Sequence, residues 1–198
     1  MTPERKEKLL SVLNKRQNDL AIVLENVDDP HNISAVMRTC DATGVQDIFV
    51  LNTKIPPHKK WGKRSSSSAA KWLTIHQYDN AQECFSHLRK RYSKILTTHL
   101  GTDSASLHDI DFTRSIALIF GNEHDGVSDE TCKLADGNFV IPQTGIIRSL
   151  NISVACAVTL YEAFRQKMRA GHYENRKLND QEFNALLNEW GFHVDEKT

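Results

Sequence analysis

Three short stretches carry polar side chains out of proportion to their length: Asn32 with Arg38, Glu123 between Gly121 and Gly126, and Ser149 with Asn151. On a regular helix, residues six apart lie more than one turn apart and well around the axis. Asn32 and Arg38 therefore bracket a substrate more readily than they touch. Each has a plainer reading as well, Asn32 as a helix cap, Arg38 as an exposed helical arginine, and Glu123 as a carboxylate that ties down its own turn. Several chemistries are set aside by what is missing. No Gly-x-Gly occurs, so the dinucleotide fingerprint is absent, and Gly121 to Gly126 is followed by Val127-Ser128 where a phosphate-cradling loop needs lysine. The nine histidines show no His-Glu-x-x-His and no spacing matched to cysteines, and Gly-x-Ser-x-Gly is missing. No metal site is expected.

The elements that must position these groups centre on residues 141 to 158. Pro142 and Gly145 mark a loop, Ser149 and Asn151 can bond the unpaired N–H groups of a first helical turn, and the stretch from Asn151 to Phe164 is apolar or small on nearly every side. That helix should pack against other protein over most of its circumference. Upstream, Leu20 to Leu24 reads as a first strand ended by Glu25-Asn26-Val27-Asp28-Asp29-Pro30, followed by a helix from about Asn32 to Gly44 and a strand from Asp47 to Leu51. Further strands are expected at Trp72 to Ile75, Lys94 to Thr98, Ser115 to Phe120 and Asn138 to Ile141, with helices over Ala81 to Arg91 and from Ser128. Strands alternating with helices give an α/β fold with a mainly parallel sheet, and such sheets bind ligands beyond the carboxyl ends of their strands.

With 198 residues, 39% of them hydrophobic and 25% charged, the chain is expected to form one domain with short appended ends. Its 25 basic and 25 acidic residues cancel, so any polyanion must be met by local patches. One is the segment 52 to 68, where periodicity vanishes and Lys54, Lys59, Lys60, Lys63 and Arg64 surround Trp61. It reads either as a grip on looped nucleic acid, charge for phosphate and ring for base, or as a solvated loop. The stretch 3 to 19 suits an amphipathic helix with Leu9, Leu10 and Leu13 inward and Arg5, Lys6, Lys8, Lys15 and Arg16 outward, and Leu178 to Trp190 suits another. There is no apolar run of membrane-spanning length and the first residues are charged, so a cytoplasmic protein is expected. Cys40, Cys84, Cys132 and Cys156 read as reduced, mostly buried residues.

Taken together, Asn32-x-x-Ala35-x-x-Arg38-Thr39, Gly121-x-Glu123-x-x-Gly126-x-Ser128 and Ile141-Pro142-x-x-Gly145-x-x-x-Ser149-Leu150-Asn151-x-Ser153-x-Ala155 resemble the three motifs of the SPOUT-class RNA ribose 2'-O-methyltransferases. The lead-in Arg16-Gln17-x-Asp19-Leu20 is similar to the TrmH branch, which methylates tRNA. The resemblance implies a deep C-terminal trefoil knot, S-adenosylmethionine as cofactor, a homodimer packed through the knot region, and tRNA as substrate, with the D-loop guanosine first. Ribosomal RNA, a tRNA wobble nucleotide, or a non-catalytic RNA-binding module on the same fold are the alternatives. It implies boundaries of 1–19 for an N-terminal helical extension, 20–175 for the methyltransferase domain and 176–198 for a helical tail. Carried over by position, it gives Arg38, Asn32, Glu123, Ser149 and Asn151 catalytic roles and places Thr98, Leu100, Gly121, Ile141, Pro142 and Leu150 around the cofactor. The RNA-binding candidates are Arg16, Lys59, Lys60, Lys63, Arg64, Arg148 and Arg165. Gln143 and Arg148 depart from the family's usual residues.

Overall fold

A computed structural model describes residues 2–58, 69–99, 101, 103–147 and 149–192. Seven parallel strands form one sheet, β1 (Gln17–Glu25), β2 (Val45–Leu51), β3 (Thr74–Tyr78), β4 (Lys94–Thr98), β5 (Ala105–Ser106), β6 (Ile116–Phe120) and β7 (Gly137–Val140), in the order β3-β2-β1-β6-β4-β7-β5. The helices are α1 (Pro3–Leu13), α2 (Pro30–Thr43), α3 (Ala81–Arg91), α4 (Asp129–Leu134), α5 (Ile152–Arg169) and α6 (Asp180–Glu189). The period-2 alternation of side chains along β1 explains the layering. Leu20, Ile22 and Leu24 face a core shared with α2 and α5, whereas Ala21 and Val23 face one shared with α3 and α4. Among the described residues no helix is long and apolar enough to cross a membrane.

Local chemistry sets the helix ends. Asp29 caps α2 by accepting from the His31 N–H at 2.8 Å, with Pro30 at the first helical position. Gly44 ends it at φ 81°, and a side chain there would bring its Cβ within 2.8 Å of the Lys15 carbonyl. Ser128 caps α4 and Asn151 caps α5. The chain ends meet: Leu13 of α1 packs with Leu186 and Leu187 of α6, and Trp190 meets Trp72 edge-on at 5.2 Å.

Two expectations from the sequence differ from the structure. The strand placed at Trp72 to Ile75 lies at Thr74–Tyr78, because Ala69–Trp72 forms a 3-10 turn that turns Trp72 towards Trp190. The first strand starts at Gln17, ahead of its apolar run. Its polar opening is satisfied from far along the chain, Asn18 by Glu182 at 2.9 Å and Asp19 by Lys167 at 2.6 Å. Within the single chain, the expected cover of the helix from Asn151 is supplied on one face. Ile152, Cys156, Leu160 and Ala163 are buried, while Val154, Val158, Tyr161 and Met168 are 41–55% exposed within the single chain.

Candidate functional site

The strand order turns around between β1 and β6, which is where an open α/β sheet leaves a crevice at its carboxyl edge. β1 leads into the first turn of α2, which carries Asn32, and the loop that leaves β6 carries Glu123. The third stretch, 141–151, leaves β7 and ends at the cap of α5. Asn151 Oδ1 accepts from the Ser153 N–H at 2.9 Å and from the Ser153 hydroxyl at 2.6 Å, which leaves its Nδ2 to donate to Asn32 Oδ1 at 3.1 Å. Asn32 Nδ2 in turn donates to Glu123 Oε1. The cap thus fixes the orientation of both amides, and one hydrogen-bonded chain joins the three polar stretches. Arg38 stands apart from it, exposed on α2, its side chain without a hydrogen bond or ion pair to any described residue. It is free to meet a ligand.

Beside this chain lies a cavity of about 640 Å³, walled by the ends of β4, β6 and β7 and the start of α5. Phe120, Phe139, Ile141, Leu150, Ile152 and Ala155 make much of its surface apolar. Its polar rim comes from the loop 121–126. That loop closes on itself, with the Gly126 N–H donating to the Asn122 carbonyl at 3.0 Å and Asn122 Oδ1 accepting from the N–H groups of His124 at 2.9 Å and Asp125 at 2.7 Å. Gly121 is required by this closure, since a Cβ would lie 2.0 Å from the Gly126 carbonyl carbon and oxygen. Such a cavity, apolar in its walls with backbone groups at its edge, is the kind that accepts a flat heteroaromatic group and a polar tail.

Of the residues expected around a cofactor, Thr98, Gly121, Ile141 and Leu150 line the cavity. Pro142 belongs to the adjoining turn 142–147, outside the wall. Leu100 lies outside the described residues, as do Lys59, Lys60, Lys63, Arg64 and Arg148. Ser149 and Asn151 line the cavity too. His99 and His124, which sequence reasoning passed over, also face it, and no spacing marked them.

Arg16 departs from its expected place. Instead of pointing outward from a terminal helix it follows α1, fully buried, with Nη2 donating to Asp41 Oδ1 at 2.6 Å and to the Trp72 carbonyl at 3.3 Å, and its guanidinium 5.3 Å from the Trp190 ring. A residue so placed joins α2, the 69–72 turn and α6 and does not reach a nucleic acid. Lys167, two residues after Arg165, is likewise interior, fully buried against Asp19. Arg165 is exposed but forked onto Glu162 at 2.8 and 2.6 Å, which holds that carboxyl down to about 2.

Residues 19–161 match the model of the SpoU rRNA Methylase family. The tRNA (guanosine(18)-2'-O)-methyltransferase of Thermus thermophilus is 38% identical over 191 residues, covering 96% of both chains. A crystal structure of the Aquifex aeolicus TrmH/SpoU tRNA modifying enzyme superposes with a TM-score of 0.87 at 36% identity, covering 94% of each chain. The SpoU methyltransferase AviRb of Streptomyces viridochromogenes, solved in complex with the cofactor AdoMet, superposes with a TM-score of 0.69 at 26% identity over 80% of this chain and 62% of that one.

Proposed function

The chain belongs to the SpoU methylase family, and from that premise we propose that it methylates a ribose 2'-OH in tRNA, that of guanosine 18 in the D-loop, using S-adenosylmethionine. The observation that carries this reading is the hydrogen-bonded chain Glu123–Asn32–Asn151 at the mouth of the cavity, which joins residues of all three motifs. The cavity fits the cofactor on its own terms. It has apolar walls for an adenine, loop backbone for the polar atoms, and a close approach at Gly121 that no side chain would permit. Thr98, Gly121, Ile141 and Leu150 would hold it, with Pro142 in the adjoining turn.

When bound, S-adenosylmethionine supplies an electrophilic methyl group carried on a sulfonium. The residues have to place the ribose hydroxyl in line with that carbon and favour loss of its proton. A guanidinium with a pKa above about 12 makes a poor base. Arg38 instead binds the neighbouring phosphate and hydrogen-bonds the developing alkoxide, which stabilises negative charge as it appears. Asn32 and Glu123 hold the mouth in shape, and Ser149 and Asn151 bound the ribose side. Lys59, Lys60, Lys63, Arg64, Arg148 and Arg165 are assigned to RNA phosphates, a salt-sensitive attraction that a neutral protein can provide from local patches.

We assign two further properties to the chain. A second copy covers the apolar stripe of Val154, Val158, Tyr161 and Met168, together with Ile146 and Ile147, which are 98% and 75% exposed. The region from β4 onward is threaded as a trefoil knot, in keeping with β7 entering the sheet between the earlier β4 and β5. The boundaries 1–19, 20–175 and 176–198 remain our division, with the two ends packed together. We place the enzyme in the cytoplasm with its tRNA.

The test is methyl transfer from labelled S-adenosylmethionine to unmodified tRNA by the wild type and Arg38→Ala. Transfer by the wild type that falls at least about a hundredfold in the variant, with cofactor binding kept, is expected. Full activity in a folded Arg38→Ala would remove its assigned role.

A further inference from the structure

Glu25 ends β1 and has no part in the roles assigned above. Its side chain is 1% exposed, and its carboxylate accepts three hydrogen bonds, from the Ser128 N–H at 2.9 Å, the Ser128 hydroxyl at 2.6 Å and the Thr131 hydroxyl at 2.8 Å. None of these donors is charged, and among the described residues no lysine, arginine or histidine forms an ion pair with it. Burying a carboxylate without a counter-charge is expensive. All three donors sit at one place, the first turn of α4, where the cavity loop ends.

That placement matters because the loop is stiff within itself. Gly121 packs against the Gly126–Val127 backbone, and Asn122 closes the ring through its carbonyl and its side chain. A stiff loop is aimed by its anchors, one of which is β6 and the other Ser128. Glu25 therefore determines how the loop sits over the cavity. It also lies seven residues before Asn32, the partner that Glu123 reaches from the loop. One strand end thus governs both sides of the Asn32–Glu123 contact.

We propose that Glu25 is a positioning residue for methyl transfer, holding the loop 121–128 so that its backbone edges the cofactor cavity and Glu123 meets Asn32. This rests on the cavity being the S-adenosylmethionine site. What Glu25 provides is hydrogen-bonding geometry, and glutamine can reproduce it. In Glu25→Gln the side-chain carbonyl would accept from the Ser128 N–H while the amide N–H groups donate to the Ser128 and Thr131 hydroxyls, whose own hydrogens rotate away. Alanine cannot.

The experiment is calorimetric titration of S-adenosylmethionine into wild type, Glu25→Gln, Glu25→Ala and Thr131→Val, well below their melting temperatures, with melting curves and steady-state kinetics alongside. The wild type should bind, Glu25→Gln should stay within about threefold of it, and Glu25→Ala should weaken binding about tenfold or more. The KM for S-adenosylmethionine should rise in parallel and that for tRNA should not. Thr131→Val, which removes one donor at constant shape, should weaken binding severalfold and serves if Glu25→Ala fails to fold. A purely structural residue would lower the melting temperature and leave the affinity of the folded protein alone. Wild-type affinity in Thr131→Val and in any folded Glu25→Ala would overturn the inference. A wild type that binds no S-adenosylmethionine would overturn the reading of the cavity, and this inference with it.

Discussion

Removing the charge of Asp19 should destabilise the fold by an amount that depends on pH in a stated way. Lys167, near the end of α5, is fully buried and donates to Asp19 Oδ1 at 2.6 Å, while His172 lies 3.5 Å from the other carboxylate oxygen and 3.4 Å from the ammonium. Burial holds the Lys167 ammonium below the ordinary lysine range, and Asp19 works against that shift. Asp19→Asn leaves the buried ammonium without its counter-charge, a loss of about 3–5 kcal/mol in comparable cases. There is a ceiling, because the lysine can release its proton instead. From an unfolded pKa of about 10.4 that release costs about 4.6 kcal/mol at pH 7 but only about 1.9 at pH 9. In the variant the unfolded chain binds more protons than the native one below about pH 10, so its stability rises with pH relative to wild type. His172, held below its usual range by burial and by Lys167 and Lys177, stays neutral across this window, and Asp111 stays ionised. With an unfolding entropy of about 0.4 kcal/mol/K for a chain of this length, a loss of about 3 kcal/mol lowers Tm by about 7 °C at pH 7, and the deficit should shrink to about 5 °C or less at pH 9. Melting curves at fixed protein concentration and ionic strength check this, with Lys167→Met and the double variant as companions. The double variant should lie within about 1.5 kcal/mol of wild type, because it leaves no buried charge, and Lys167→Met, which leaves the Asp19 carboxylate only 22% exposed, should fall between it and Asp19→Asn. An equal Tm deficit at the two pH values would refute the reasoning.

Gly121→Ala should abolish S-adenosylmethionine binding in calorimetry, because its Cβ would stand 2.0 Å from the Gly126 backbone and force the loop open. Arg16→Met should lower unfolding free energy by about 2–4 kcal/mol in urea titrations, since it severs the bonds to Asp41 and the Trp72 carbonyl. The tRNA affinity of its folded fraction, measured by filter binding, should be unchanged. Val158→Asp places a charge in the exposed α5 stripe and should convert a dimer to monomer in sedimentation at micromolar concentration, with little change in the far-UV spectrum.

What could be read from the sequence follows a physical division. Where one element carries its own pattern, the reading matched the structure: α3 spans Ala81–Arg91 and β4 spans Lys94–Thr98 as expected, because amphipathic period and apolar run need no distant partner. The caps at Ser128 and Asn151 were legible for the same reason. What failed depended on residues far away. Arg16 looks like any outward cation until Asp41 and Trp72 enclose it, and Asn18 and Asp19 look unlike a strand until Glu182 and Lys167 satisfy them. The two-residue β5 carries too little chain to show a period. At the site, the motifs named Asn32, Glu123 and Asn151 but gave no sign that they bond in that order. Glu25 passed for a strand end. Its only signal was a carboxylate closing an apolar run.

The most direct measurement is to incubate the protein with labelled S-adenosylmethionine and, in parallel, unmodified tRNA and ribosomal RNA, then map the modified nucleotide by nuclease digestion and mass spectrometry. Label recovered as 2'-O-methylguanosine at position 18 of the tRNA D-loop is the expected result. Label confined to ribosomal RNA or to another tRNA position, or none with any RNA despite measurable cofactor binding, would contradict the assignment.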